Sequence, residues 1–152
     1  MKSYKMLGTF AIVAIFTAAF GLAAQPSRTV EVKKGERSAE CIACTKSCAD
    51  CALQCDMCFA HCSAAVAQGK QEHAITSQLC VDCADCCKLA STFTARMSPL
   101  SPEACECCAK CCIKCAEACG KFPDDKQMAD CAKSCRECAA SCQAMLKSIA
   151  AK

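Results

Sequence analysis

Cys41, Cys44, Cys48, Cys51, Cys55, Cys58 and Cys62 are separated by alternating steps of three and four residues. That is the a/d rhythm of a heptad, and only an α-helix puts such positions on one face; a strand, with its period of two, would scatter them over both. Ala, Lys, Gln, Asp and Met fill the gaps, and no Gly or Pro intervenes before Gly69. With Ser38 as N-cap and Gly69 closing the far end, the spacing predicts one helix of about 30 residues whose seam is written in thiols.

The rhythm returns three times. Cys80, Cys83 and Cys87 continue a stripe that runs back through Thr76 and His73 and forward through Ala90, Thr94 and Met97, and Ser98-Pro99 ends it. Ser101-Pro102-Glu103 offers an N-cap, a Pro at N1 and an acid in the first turn. Cys105, Cys108, Cys112, Cys115 and Cys119 follow, and Gly120 stops the helix. Asp124 with Gln127 resembles a capping box for a fourth helix, striped by Met128, Cys131, Cys135, Cys138, Cys142, Met145 and Ile149. Nineteen of the 22 cysteines lie on these seams, leaving Cys86, Cys107 and Cys111 outside. The connections are short, so consecutive helices must be antiparallel neighbours. The expected fold is all-α: an antiparallel up-down-up-down four-helix bundle with a cysteine-lined core over residues 38–150.

Two segments precede it. Lys2 and Lys5 stand before an apolar or small run over residues 7–24, which ends in small residues ahead of Gln25-Pro26. Residues 1–24 therefore read as a secretory signal peptide, and 25–37 as a flexible polar tail. The expected address is export, to a bacterial periplasm, with no membrane association once the leader is cleaved. Cleavage removes two lysines and no acid, which lowers the net charge from +3 to +1. So small a charge cannot track phosphates. Trp is absent, Tyr4 leaves with the leader, and Phe59, Phe93 and Phe122 are too few for base stacking. Nucleic acid is not an expected partner.

Three uses of such a seam compete. Cysteine serves as a small core hydrophobe, yet cores interlock large and small side chains, and Leu, Ile, Val and Phe are nearly missing from this seam. A disulfide scaffold suits an exported chain, but Cβ atoms at i,i+3 and i,i+4 lie about 5–6 Å apart, against the about 3.5–4.5 Å a disulfide wants. Metal binding remains. Thiolates are soft ligands for Cu(I), Zn(II) or iron–sulfur clusters. Zn(II) on four thiolates leaves −2 at each site, and several such sites in one apolar bore would repel. Monovalent Cu(I), shared among bridging thiolates at about one metal per cysteine, is neutral. A linear site with bonds of about 2.3 Å spans about 4.6 Å, matching neighbouring turns of a helix. The Cys-Pro ending of ferredoxin motifs is absent, which speaks against a cluster. Multiple Cu(I) ions are the favoured cargo. The alternatives are an exported disulfide-stabilised structural protein and a Zn(II) or low-stoichiometry copper chaperone.

The unbroken CxxCxxxCxxCxxxCxxCxxxC seam, with cysteine stripes on three further helices, resembles the bacterial copper storage proteins, a cysteine-rich four-helix-bundle family; the likeness runs from Ser38 to about Ile149. It implies a bundle that holds many Cu(I) ions internally for copper supply or detoxification, assembly as a homotetramer, and a few His or Met residues admitting metal at one open end. Copper-delivering or copper-accepting proteins would be its partners. Some exported members use twin-arginine export of a folded chain, whereas no Arg pair precedes this apolar run.

Antiparallel order gathers His73, Met128, Cys62 and Cys119 at one end and Met97, Met145, Cys41 and Cys105 at the other. Thioether and imidazole bind Cu(I) more weakly than thiolate, so His73 and Met128 are candidate ligands at the mouth. Cys86 and Cys111, at g positions, and Cys107 complete the candidate set. Leu53, Phe59 and Val66 are candidates for an apolar contact face between chains. His61, near Cys58 and Cys62, is the place to look for a Cys–His nucleophile, but no orienting carboxylate pattern accompanies it, and catalysis is not expected.

Overall fold

The computed structural model describes residues 37–150, and the leader and most of the tail read from the sequence lie outside them. Four helices follow one another: α1 (Ala39–Ala67), α2 (Ala74–Ala95), α3 (Ser101–Cys119) and α4 (Lys126–Ala150). Each packs on its neighbours around a closed square, α1 on α2 and α4, and α3 on α2 and α4. Across the diagonal α1 and α3 meet through sulfur, as where Cys44 Sγ lies 3.7 Å from Cys105 Sγ. The fold is the expected up-down-up-down bundle.

The ends of the helices follow local chemistry. Ser38 caps α1 by accepting from Cys41 N at 3.2 Å. Gly69 follows α1 at φ +89°; Lys70 N donates back to Ala65 O and Gly69 N to Val66 O, a Schellman closure that needs the left-handed conformation glycine tolerates. A 3-10 turn, Gln71–His73, leads into α2. The end of α2 repeats the Schellman pattern without glycine. Met97 sits at φ 52°, with Ser98 N bonded to Phe93 O and Met97 N to Thr94 O. The helix therefore ends at Ala95, three residues before the expected Ser98-Pro99, and Met97 of the expected stripe lies just beyond it.

Two caps differ from expectation by one residue. Ser101 is the first helical residue of α3, and its hydroxyl donates back to Ser98 O at 2.7 Å rather than capping forward. At α4 the cap is Asp125, not Asp124: its Oδ1 accepts from Gln127 N at 3.0 Å and Met128 N at 3.2 Å. Alanines explain how so thin a core closes. Ala52, Ala84, Ala109, Ala116, Ala132 and Ala139 are buried beside the cysteines, which lets the backbones approach until the sulfurs touch. Among the described residues no helix is long and apolar enough to cross a membrane.

Candidate metal centre

Eighteen cysteines have no accessible surface: six on α1, three on α2, five on α3 and four on α4. All 22 are free thiols. Their sulfurs form a ladder along the axis. Near its start Cys44 Sγ lies 3.8 Å from Cys142 and 3.9 Å from Cys48. Cys48 lies 3.5 Å from Cys142 and 3.6 Å from Cys138, and Cys87 is 3.5 Å from Cys108. Further along, Cys83 meets Cys112 at 3.6 Å, Cys51 meets Cys135 at 3.8 Å and Cys55 meets Cys135 at 3.6 Å. Cys55 also reaches Cys131 at 4.0 Å, and Cys80 touches Cys115 at 3.8 Å. These separations are about twice the roughly 2.05 Å of a disulfide. They approach the about 4.0 Å between two sulfurs of a trigonal site with bonds of about 2.3 Å.

The thiols also form overlapping groups of four, with every sulfur of a group within 4.8 Å of the others. Cys51 and Cys83 belong both to the group with Cys87 and Cys112 and to the one with Cys55 and Cys135. Cys55 and Cys135 recur with Cys115 and Cys131, and Cys131 recurs with Cys58, Cys80 and Cys119. Separate tetrahedral sites cannot all be filled when neighbours share ligands. Bridging thiolates satisfy the geometry, and a metal that accepts two or three of them satisfies the charge.

Protons are shared unevenly along the ladder. Burial, then the neighbouring Cys58, pushes the Cys62 thiol up to about 12. The hydrogen bond with Cys112 leads the influences that bring Cys83 down to about 7. Hydrogen bonds to Cys112, Cys115 and Cys131 drive Cys135 upward. A soft cation entering this array must displace protons, so uptake is coupled to their release.

The two ends differ. At the α4 start, Met128 is fully buried, and its Sδ accepts from Cys58 at 3.5 Å and Cys62 at 3.4 Å. His73 is buried there, stacked on Phe122 at 4.2 Å between ring centroids, with Nδ1 lacking a hydrogen-bond partner. An unpartnered buried ring nitrogen costs about 1–3 kcal/mol, and a lone pair held this way suits a metal. His61 lies 6.5 Å from His73, ring to ring, and pairs through Nε2 with Asp125 Oδ2 at 2.6 Å. Burial alone would raise the Asp125 carboxyl, but His61 and the backbone N–H of Met128 hold it below its ordinary value. The same carboxylate thus caps α4 and fixes His61, a pairing the sequence reading missed because residues 61 and 125 are far apart in the chain.

At the opposite end a cavity of about 350 Å³ is lined by Cys41, Thr94, Met97 and Met145, among others. Cys41 is half-buried and its thiol donates to Thr94 O at 3.5 Å, outside the sulfur ladder. Arg37 rims this cavity and donates from Nη2 to Ala95 O at 2.8 Å. Cys86, Cys107 and Cys111 are not among the fully buried thiols of the ladder, although Cys86 and Cys111 pack against it; they meet one another between α2 and α3, with Cys86 Sγ 3.0 Å from Cys111 and 3.8 Å from Cys107.

A sequence model described as copper storage protein matches residues 37–147, almost the whole described bundle. The chain belongs to the copper storage protein family. The Cu(I)-bound copper storage protein BsCsp3 superposes with a TM-score of 0.65 at 34% identity, covering 70% of this chain and 98% of that one. The crystal structure of a protein from Nitrosospira multiformis does so with a TM-score of 0.61 at 30% identity, over 71% and 95% of the two chains. An uncharacterized cysteine-rich protein of Bacillus subtilis (strain 168), YhjQ, is 38% identical over 85 residues, 55% of this chain and 75% of its own.

Proposed function

We propose that the protein stores many Cu(I) ions on the thiolates of its bore, as a reserve for copper supply or as protection against excess. The observation that carries this is the run of buried tetrathiol groups along the axis, four of which share members in succession from Cys87 and Cys112 to Cys58 and Cys119. It accommodates a monovalent metal on bridging sulfurs and disfavours a row of doubly charged Zn(II) sites. Similarity to the Cu(I)-bound BsCsp3 supports the same cargo. All 18 fully buried cysteines are assigned as ligands, with His73 and Met128 passing metal at their end. Cys41 faces the cavity at the other.

Binding and release, rather than catalysis, is the activity inferred, and membership of the copper storage protein family supports it. Residues 1–24 are read as a signal peptide on the strength of Lys2, Lys5 and the apolar run behind them, which directs the bundle to the periplasm. Leu53 and Phe59 are exposed on α1 and serve as contact residues of a homotetramer. Anaerobic titration with Cu(I) against a competing chelator, run beside Zn(II), tests the storage reading. A store takes up Cu(I) far beyond a chaperone's few ions, and Zn(II) does not displace it. Freshly purified protein should carry thiols that are free or metal-bound, and extensive disulfide content would contradict the reading.

A further inference from the structure

Cys86, Cys107 and Cys111 are left over once the bore is accounted for. Cys107 is exposed, whereas Cys86 and Cys111 are half-buried. They come from two helices, Cys86 from α2 and the i,i+4 pair Cys107 and Cys111 from α3. Their sulfurs nevertheless converge, with Cys86 Sγ 3.0 Å from Cys111 Sγ and 3.8 Å from Cys107 Sγ. A scattered surface thiol is a reactive liability; three that meet on the outer wall form a ligand set.

We propose that Cys86, Cys107 and Cys111 constitute a second Cu(I) site, outside the bore and open to solvent, where a single ion exchanges with soft ligands in solution. The proposal rests on the reading of Cu(I) as cargo. With bonds of about 2.3 Å, three thiolates around one ion stand about 4.0 Å apart. The Cys86–Cys107 separation already meets that. The Cys86–Cys111 separation must open by about 1 Å, which partly exposed side chains allow by small χ1 rotations. On binding, the thiols surrender their protons to solvent as the ion leaves its external ligand, and no electron is transferred. The site backs directly onto the ladder. Cys86 adjoins Cys87, Cys107 adjoins Cys108 and Cys111 adjoins Cys112, and in the bore Cys87 lies 3.5 Å from Cys108 and 3.6 Å from Cys112. An ion held here is exposed where the bore ions are enclosed, so it is the one that leaves first.

The test is release from anaerobically saturated protein on mixing with excess of a coloured, water-soluble Cu(I) chelator. The parent protein should give a fast phase of about one Cu(I) per chain before slow release of the remainder. The triple variant C86S/C107S/C111S should lose that phase, bind about one ion fewer in total and keep the slow phase. A fast phase of undiminished size in the variant, or an unchanged capacity, overturns the proposal. A parent that saturates at only a few ions would defeat the storage reading instead, while loss of one ion in the variant would still identify the outer site. Alkylation by iodoacetamide, mapped on the parent chain, needs no variant. Cys107 should react at least about tenfold more slowly after Cu(I) loading than in the reduced apoprotein, and an equal rate in the two states overturns the assignment.

Discussion

Met128 closes one end of the sulfur ladder, and two substitutions separate its bulk from its thioether. The side chain is completely buried and receives the Cys58 and Cys62 thiols at 3.5 and 3.4 Å. Met128→Ala removes that bulk from a site with no solvent to refill it, a change that costs about 2–5 kcal/mol. Met128→Leu keeps the volume and costs less than about 1.5 kcal/mol. For a urea slope of about 2 kcal/mol/M, the midpoint should fall by about 1–2.5 M for Ala and by less than about 0.8 M for Leu. The assay is equilibrium unfolding of the reduced apoprotein, followed by helical circular dichroism without oxygen. An Ala midpoint within about 0.3 M of the parent's would refute the packing described for this end. Because Met128→Leu stays folded, slower Cu(I) loading in that variant belongs to the missing thioether, and that slowing is the expected result.

Asp125→Ala should lower apoprotein stability by about 1–2 kcal/mol in thermal unfolding, since it strips the α4 cap and the His61 partner together; Asp124→Ala should change it by less than about 0.5 kcal/mol. Equal effects would show that the cap has been misassigned. The apoprotein should also weaken in alkali. The Cys62 thiol is raised from 9.0 to about 12, so its contribution is complete below pH 9.0 and is lost as pH climbs toward 12, at up to about 1.4 kcal/mol per pH unit. Urea midpoints of the apoprotein that stay level from pH 9 to 11 would contradict this, and metal-loaded protein, whose thiolates need no proton, should show a much flatter profile.

Periodicity carried most of this fold. A seam of 19 thiols in heptad register gives each of four helices its inward face, the short connections make consecutive helices antiparallel, and Ser38, Gly69 and Gly120 mark helix boundaries because their roles depend only on local backbone chemistry. Asp125 was harder to read, because Asp124 and Asp125 are equivalent as local caps and only the distant His61 distinguishes them. Ser101 likewise offered an N-cap that the preceding turn instead draws back to Ser98 O. The outer thiols were visible in sequence as residues off the seam. Their convergence depends on how α2 and α3 rotate against each other, which no single helix encodes. The Cys41 cavity is also tertiary in origin, since Thr94 and Met145 come from opposite sides of the bundle mouth.

The central claim is that the bore is one continuous store, and the number of ions it holds tests that most directly. Reduced protein titrated anaerobically with Cu(I), in the presence of a chelator that reports free metal, should saturate near one ion per buried thiol, well above about ten per chain. Saturation at about one to four ions would mean discrete sites in an otherwise inert cysteine core, and would contradict the account.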